Sequence, residues 1–97
     1  MKNLEDILKI LRERKAYLQQ KYGIKAIAVF GSYARAEQTE DSDVDVMVEL
    51  GDKELGMRYL AMAREIENFL QHKTDVVARD AIKPRYFEAI KSDLHYA

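Results

Sequence analysis

The sequence predicts an α/β (α+β) fold in which a small mixed sheet is covered by helices. Three observations carry this. The opening segment repeats apolar residues at helical spacing, three later segments read as strands, and helical and strand segments interleave in the order α-β-(α)-β-α-β-α. The 97 residues allow one domain, spanning 1–97. A chain of this size buries about two-thirds of its unfolded surface. That suffices for one core but not for a catalytic domain plus a separate substrate-reading domain.

Leu4, Ile7, Leu8, Leu11, Leu18 and Tyr22 recur on one helical face, with Asn3 placed to cap the start, Asp6 in the first turn and Gly23 just past the end. A helix is therefore expected from Leu4 to Tyr22. Ile24 to Phe30 (IKAIAVF) is short, apolar and rich in β-branched residues, and Gly31 stops it, as expected of a mostly buried strand. Ser32 to Ala36 fits one helical turn, and Gln38 to Ser42 a polar loop. Asp43 to Leu50 alternates: Val44, Val46, Val48 and Leu50 on one face, Asp43, Asp45, Met47 and Glu49 on the other. One face of that strand should meet the core. Gly51-Asp52 turns the chain, with Asp52 expected to cap the next helix, whose apolar stripe is Leu55, Tyr59, Met62, Ala63, Ile66, Phe69 and Leu70. Thr74 to Ala78 (TDVVA) reads as a third strand. Pro84 suits the first turn of a last helix with Phe87, Ile90 and Leu94 facing inward. The dozen-residue link between the first two strands suits an antiparallel pair, and the helix between the second and third suits a parallel crossover. That topology brings Gly31-Ser32, Asp43, Asp45 and Asp75 to one edge.

Composition narrows the function. Sixteen basic and 17 acidic residues leave a net charge of -1, so no basic surplus points to strong nucleic-acid binding. The absence of cysteine excludes disulfides, thiolate zinc sites and cysteine nucleophiles. The start, Met1-Lys2-Asn3-Leu4-Glu5-Asp6, carries acids rather than a signal-peptide apolar run, and no stretch approaches the roughly 20 apolar residues of a membrane span. The expected compartment is the cytoplasm, with no membrane partner.

Asp43 and Asp45, two residues apart on a strand, point the same way with Cβ atoms about 6 to 7 Å apart. Two carboxylates that close repel, and a cation relieves the repulsion. Mg²⁺ prefers such oxygen ligands, and two ions can clamp the attacking and leaving oxygens of a phosphoryl-type displacement. A lone Asp-x-Asp also fits two acids on the solvent face of an edge strand. Gly31-Ser32 ends an apolar strand and opens a helical turn, presenting backbone N–H groups to an anion, or forms an ordinary turn with Ser32 as helix cap. Arg35, three residues on, either contacts a phosphate or pairs with Glu37 or Glu40. Asp75, opening the third strand, is either a third metal ligand or general base, or a strand-end cap, or a partner of Arg79.

Taken together, Val29-Phe30-Gly31-Ser32-Tyr33-Ala34-Arg35-Ala36 and Ser42-Asp43-Val44-Asp45-Val46 resemble the two-part signature of the DNA polymerase beta nucleotidyltransferase superfamily. The Gly-Ser-x-Ala-Arg and Ser-Asp-x-Asp pieces are similar to its minimal (MNT) branch. The resemblance implies a polymerase-beta-type nucleotidyltransferase fold. It further implies that Gly31, Ser32 and Arg35 bind the nucleotide, and that Asp43 and Asp45, joined by Asp75, hold two Mg²⁺ ions and carry catalysis. The family usually has glycine after the motif arginine, where Ala36 stands; a backbone with φ > 0 there would strain alanine by roughly 1 kcal/mol or more. Many members of this branch are encoded beside a helical HEPN-domain partner in pairs that resemble toxin–antitoxin modules, and the resemblance implies an antitoxin that transfers AMP from ATP to a toxin tyrosine. The alternative is a non-catalytic, nucleotide-binding antitoxin that neutralises its partner by covering it. So small a domain is also open to assembly with itself.

His72 and His95 have no carboxylate or second histidine at metal spacing and are expected on the surface. Tyr33 either stacks on the base or packs beneath the motif loop. Tyr59, Tyr86 and Tyr96 belong either to the core or to a partner surface.

Overall fold

The computed structural model describes residues 2–52 and 54–97. Helix α1 spans Leu4–Tyr22, as the periodicity predicts. A capping box fixes its start: the Asn3 side chain accepts the Asp6 N–H at 2.9 Å, and Asp6 accepts the Asn3 N–H at 3.1 Å. Gly23, in the left-handed conformation at φ 71, closes its end and returns its N–H to Gln19. Strand β1 (Ala26–Phe30) follows, then a four-residue helix α2 (Gly31–Ala34), strand β2 (Val44–Glu49), helix α3 (Arg58–Leu70) and strand β3 (Thr74–Ala78). A 3₁₀ turn at Arg79–Ala81 leads to helix α4 (Pro84–Ile90), a second 3₁₀ turn at Lys91–Asp93 and a two-residue strand β4 (His95–Tyr96).

The sheet runs β3-β2-β1-β4. β1 and β2 are antiparallel and β2 and β3 parallel, as expected, while β4 adds an antiparallel edge beside β1. The larger core lies under α1 and α3, where Ile7, Leu11, Leu18, Met62, Ile66 and Leu70 meet Ile27, Val29, Val44, Val46 and Val48. Each such side chain, fully buried, contributes about 1.5–3 kcal/mol relative to exposure.

Three expectations need correction, and one strand was not anticipated. β2 is not open on its second face: Met47 is fully buried with Ala28, Phe30, Ile82 and Ile90 beneath α4. Alternation signals which residues share a face, but the far face is covered by a helix distant in sequence. Asp52 does not cap α3. The helix begins at Arg58, after Gly56 in the left-handed region at φ 56 interrupts the approach, and Asp52 pairs loosely with Lys25 at 3.7 Å. The last helix stops at Ile90, so Leu94 reaches the smaller core from beyond its end. β4 went unpredicted, because two residues carry no periodicity and become a strand only through β1. No helix among the described residues is long and apolar enough to cross a membrane.

Candidate functional site

The site forms where β1 ends and β2 and β3 begin. Phe30 is the register partner of Asp45, and Asp45 is the register partner of Asp75. In a parallel pair such partners lie about 4.8 Å apart. Asp43, two residues before Asp45, shares its face. The sequence-predicted residues Gly31, Asp43, Asp45 and Asp75 are thus brought to one edge, on the same sheet face as α4.

Gly31 is required there for two reasons. Its φ of 75 lies in the left-handed region, and a Cβ at this position would stand 2.1 Å from Asp45 Oδ2. The two halves of the motif are therefore in van der Waals contact through a glycine. Ser32, half-buried in the first turn of α2, accepts the Glu37 N–H on its carbonyl at 2.9 Å. Tyr33 is 1% exposed, so of its two readings the structure takes the packing one, beneath the loop. Arg35 ends α2 and is held by two acids: its Nε donates to Glu37 and its Nη1 to Asp93, both at 3.1 Å. Ala36 has φ 57, the left-handed conformation that glycine accepts without strain.

The three acids differ in setting. Asp45 is half-buried, and its carboxyl is pushed above the usual range, first by desolvation and then by the charges of Asp75 and Asp43, with Arg35 pulling the other way. Asp43 is half-buried and leans to Lys73, Nζ to Oδ2 3.8 Å. Asp75 is exposed. It does not pair with Arg79, whose guanidinium instead lies 3.5 Å above the Phe87 ring. Among the described residues no three acidic, histidine or cysteine side chains are gathered tightly enough to enclose an ion. The strand register brings Asp45 and Asp75 side by side, and the charges of Asp75 and Asp43 both act on the Asp45 carboxyl.

Sequence reasoning missed His72, Lys73 and Asp93. His72 was expected at the surface. Instead its Nε2 lies 2.6 Å from the Ser42 carbonyl and 3.3 Å from the Tyr33 hydroxyl, with the two rings edge-on at 5.7 Å. Its partners lie 30 and 39 residues earlier, so no local spacing could have signalled them. His95 is exposed on β4, as expected. Tyr59 is half-buried and donates to the Val76 carbonyl at 2.9 Å, whereas Tyr86 and Tyr96 are exposed.

Comparison with known proteins finds relatives of this chain and of its fold. The "Nucleotidyltransferase domain" family model matches residues 5–96. A Methanocaldococcus jannaschii protein named "Putative protein adenylyltransferase MJ1379" is 42% identical over 99 residues, spanning 99% of each chain. "Protein adenylyltransferase MntA" of Thermococcus cleftensis is 31% identical over 96 residues, 99% of this chain and 97% of that one. A solved structure described as a "putative minimal nucleotidyltransferase" superposes with a TM-score of 0.79 at 29% identity, over 97% and 95% of the two chains. The fold also matches a structure of a tri-AMPylated Shewanella oneidensis HEPN toxin in complex with its MNT antitoxin. The TM-score is 0.59 at 18% identity, over 95% of this chain and 66% of that one.

Proposed function

The chain belongs to the nucleotidyltransferase domain family, and on that premise we propose that it is a Mg²⁺-dependent protein adenylyltransferase. In this reading it moves AMP from ATP to a tyrosine hydroxyl of a HEPN-domain toxin and so acts as that toxin's antitoxin. The observation that carries the reading is the register: Asp45 stands beside Asp75 on one side and contacts Gly31 on the other. A phosphate-binding turn and a pair of acids thereby share one edge. Relatives named as protein adenylyltransferases, matched over nearly the whole chain, support the acceptor class.

The residues fit a divalent cation by donor chemistry. Asp45 is half-buried among like charges that raise its proton affinity, a repulsion that a hard cation bound to carboxylate oxygens relieves. Asp43, Asp45 and Asp75 would hold it, Asp43 turning away from Lys73. Bound there, Mg²⁺ supplies charge neutralisation for the triphosphate and the departing pyrophosphate. The chain's own groups do the rest. Gly31 and Ser32 offer N–H and hydroxyl donors to the phosphates, and Arg35 adds positive charge at the end of the same turn. The acceptor hydroxyl oxygen bonds to the α-phosphorus, the bond from that phosphorus to the β-phosphate oxygen breaks, and pyrophosphate leaves. Asp75, exposed at the edge, takes the hydroxyl proton.

The test incubates the protein with α-labelled ATP, Mg²⁺ and the product of the adjacent reading frame. Wild type labels that partner. The double variant Asp43→Asn, Asp45→Asn is expected to be slower by about a thousandfold, since such electrostatic stabilisation is worth several kcal/mol at 1.36 kcal/mol per decade. Equal labelling by both overturns the enzymatic reading. A second reading, an antitoxin that only covers its partner, draws on Ala36 at φ 57 and on Arg35 being occupied by Glu37 and Asp93. It requires the double variant to neutralise the toxin as well as wild type does.

A further inference from the structure

We propose that His72 is a positioning residue for the transfer reaction: by bridging Ser42 and Tyr33 it sets the spacing between the Gly31-Ser32 turn and Asp43. The inference rests on the nucleotidyl-transfer reading above. Residues 35–43, which join the two halves of the motif, are bonded largely within themselves and to α2. Ser42 and Thr39 close a turn on each other (Ser42 N–H to the Thr39 carbonyl 3.1 Å, Thr39 N–H to Ser42 Oγ 2.9 Å), and the Glu37 N–H reaches back to Ser32. Side-chain bonds to the body of the protein come at the two ends. Arg35 binds Asp93 at the entry, and His72 binds the Ser42 carbonyl at the exit, one residue before Asp43.

The imidazole stands on a rigid platform. Gln71 ends α3 in the left-handed conformation and returns its N–H to Glu67 at 2.8 Å. The Thr74 hydroxyl donates to the His72 carbonyl at 2.8 Å, and the Thr74 N–H donates to Glu67 Oε2 at 3.0 Å. The Lys73 carbonyl accepts the Val44 N–H at 3.0 Å, which stitches the same turn to β2. A carbonyl only accepts, so the Ser42 contact places the proton on Nε2. That N–H is shared with the hydroxyl of Tyr33, whose ring is immobilised in the core next to Ser32. One nitrogen thereby references the phosphate-side turn and the carboxylate-side strand to each other. Misplacing reacting groups by about 1 Å costs as much as a hundredfold in rate.

The experiment compares wild type with His72→Phe and His72→Leu, which fill the space without a donor, and with His72→Gln, which restores one. Transfer of labelled AMP to the adjacent reading frame's product is followed, with melting curves for each protein. Expected is a kcat lower by about ten- to a hundredfold in the Phe and Leu variants, an ATP KM within about threefold of wild type, and recovery of most of kcat in His72→Gln. The inference is overturned if a folded Phe or Leu variant keeps wild-type kcat. It is also overturned if the rate loss only tracks lost folded protein and His72→Gln does not recover it. Failure of the underlying reading looks different: wild type itself then labels no better than the Asp43→Asn, Asp45→Asn protein, and both ideas go together.

Discussion

Asp45 works against its own fold. Its carboxyl holds its proton more tightly in the folded protein than in the unfolded chain, because it is half-buried beside Asp75 and Asp43. By linkage, its contribution to stability is greatest below the unfolded value of about 3.9 and is lost as pH rises through the raised folded value. At neutral pH the ionised group is a net cost. Asp45→Asn, which keeps the shape without the charge, is therefore expected to melt above wild type at neutral pH while losing transfer activity. The difference should shrink as pH falls towards about 4. Paired thermal melts across that range check it, and a variant that melts lower at neutral pH contradicts the account. Part of this scale is legible: residue type and spacing mark Asp43, Asp45, Asp75 and Gly31 as candidates, the family resemblance assigns them roles, and the strand register brings them to one edge. His72 and Asp93 were not legible, since an isolated histidine and an isolated acid acquire meaning only from what the fold brings to them. Arg35 was legible as one of several alternatives, and the structure chose Glu37 over Glu40.

Among the elements, α1 could be read to the residue because its cap, stripe and terminal glycine all agree. The short pieces were harder. α2 and β4 are too brief for periodicity, and α3 starts six residues beyond its supposed cap, Asp52, because Gly56 takes a conformation that no helix continues. The connection from α2 to β2 carries a mismatch between residue and backbone at Ala36, which adopts φ 57. An L-residue pays about 1–2 kcal/mol there, and glycine recovers that less its larger unfolded entropy, leaving a gain of roughly 0.5–1 kcal/mol. Ala36→Gly is thus expected to raise the midpoint of denaturant unfolding without changing the slope. An unchanged or lower midpoint would show that the strain is relieved in some other way.

For the molecule as a whole, the sequence order of helices and strands was enough to place the first three strands, since short antiparallel links and right-handed crossovers leave few choices. What it could not show was the cover over the second sheet face. That cover is assembled from α4 and the segments around it, which meet β1 and β2 only in three dimensions. A site shared by the ends of three strands ties ligand binding to the stability of the entire sheet. Mg²⁺ with ATP at a hundred times its Kd is expected to add about 2.7 kcal/mol, a rise of more than 10 °C for a domain of this size, at about 4–8 °C per kcal/mol. The rise should be absent in the Asp43→Asn, Asp45→Asn protein, and differential scanning calorimetry measures both. Asp75 lies exposed on β3, the outermost strand on that side of the sheet. An incoming side chain can therefore approach sideways, past a strand that no further strand covers among the described residues and whose rim is met by Glu67 at Thr74 and by Tyr59 at Val76, without threading a channel. Choice of target then rests with whatever surface docks along that rim. Grafting a different docking face onto the partner should redirect where the AMP lands while leaving the chemistry untouched.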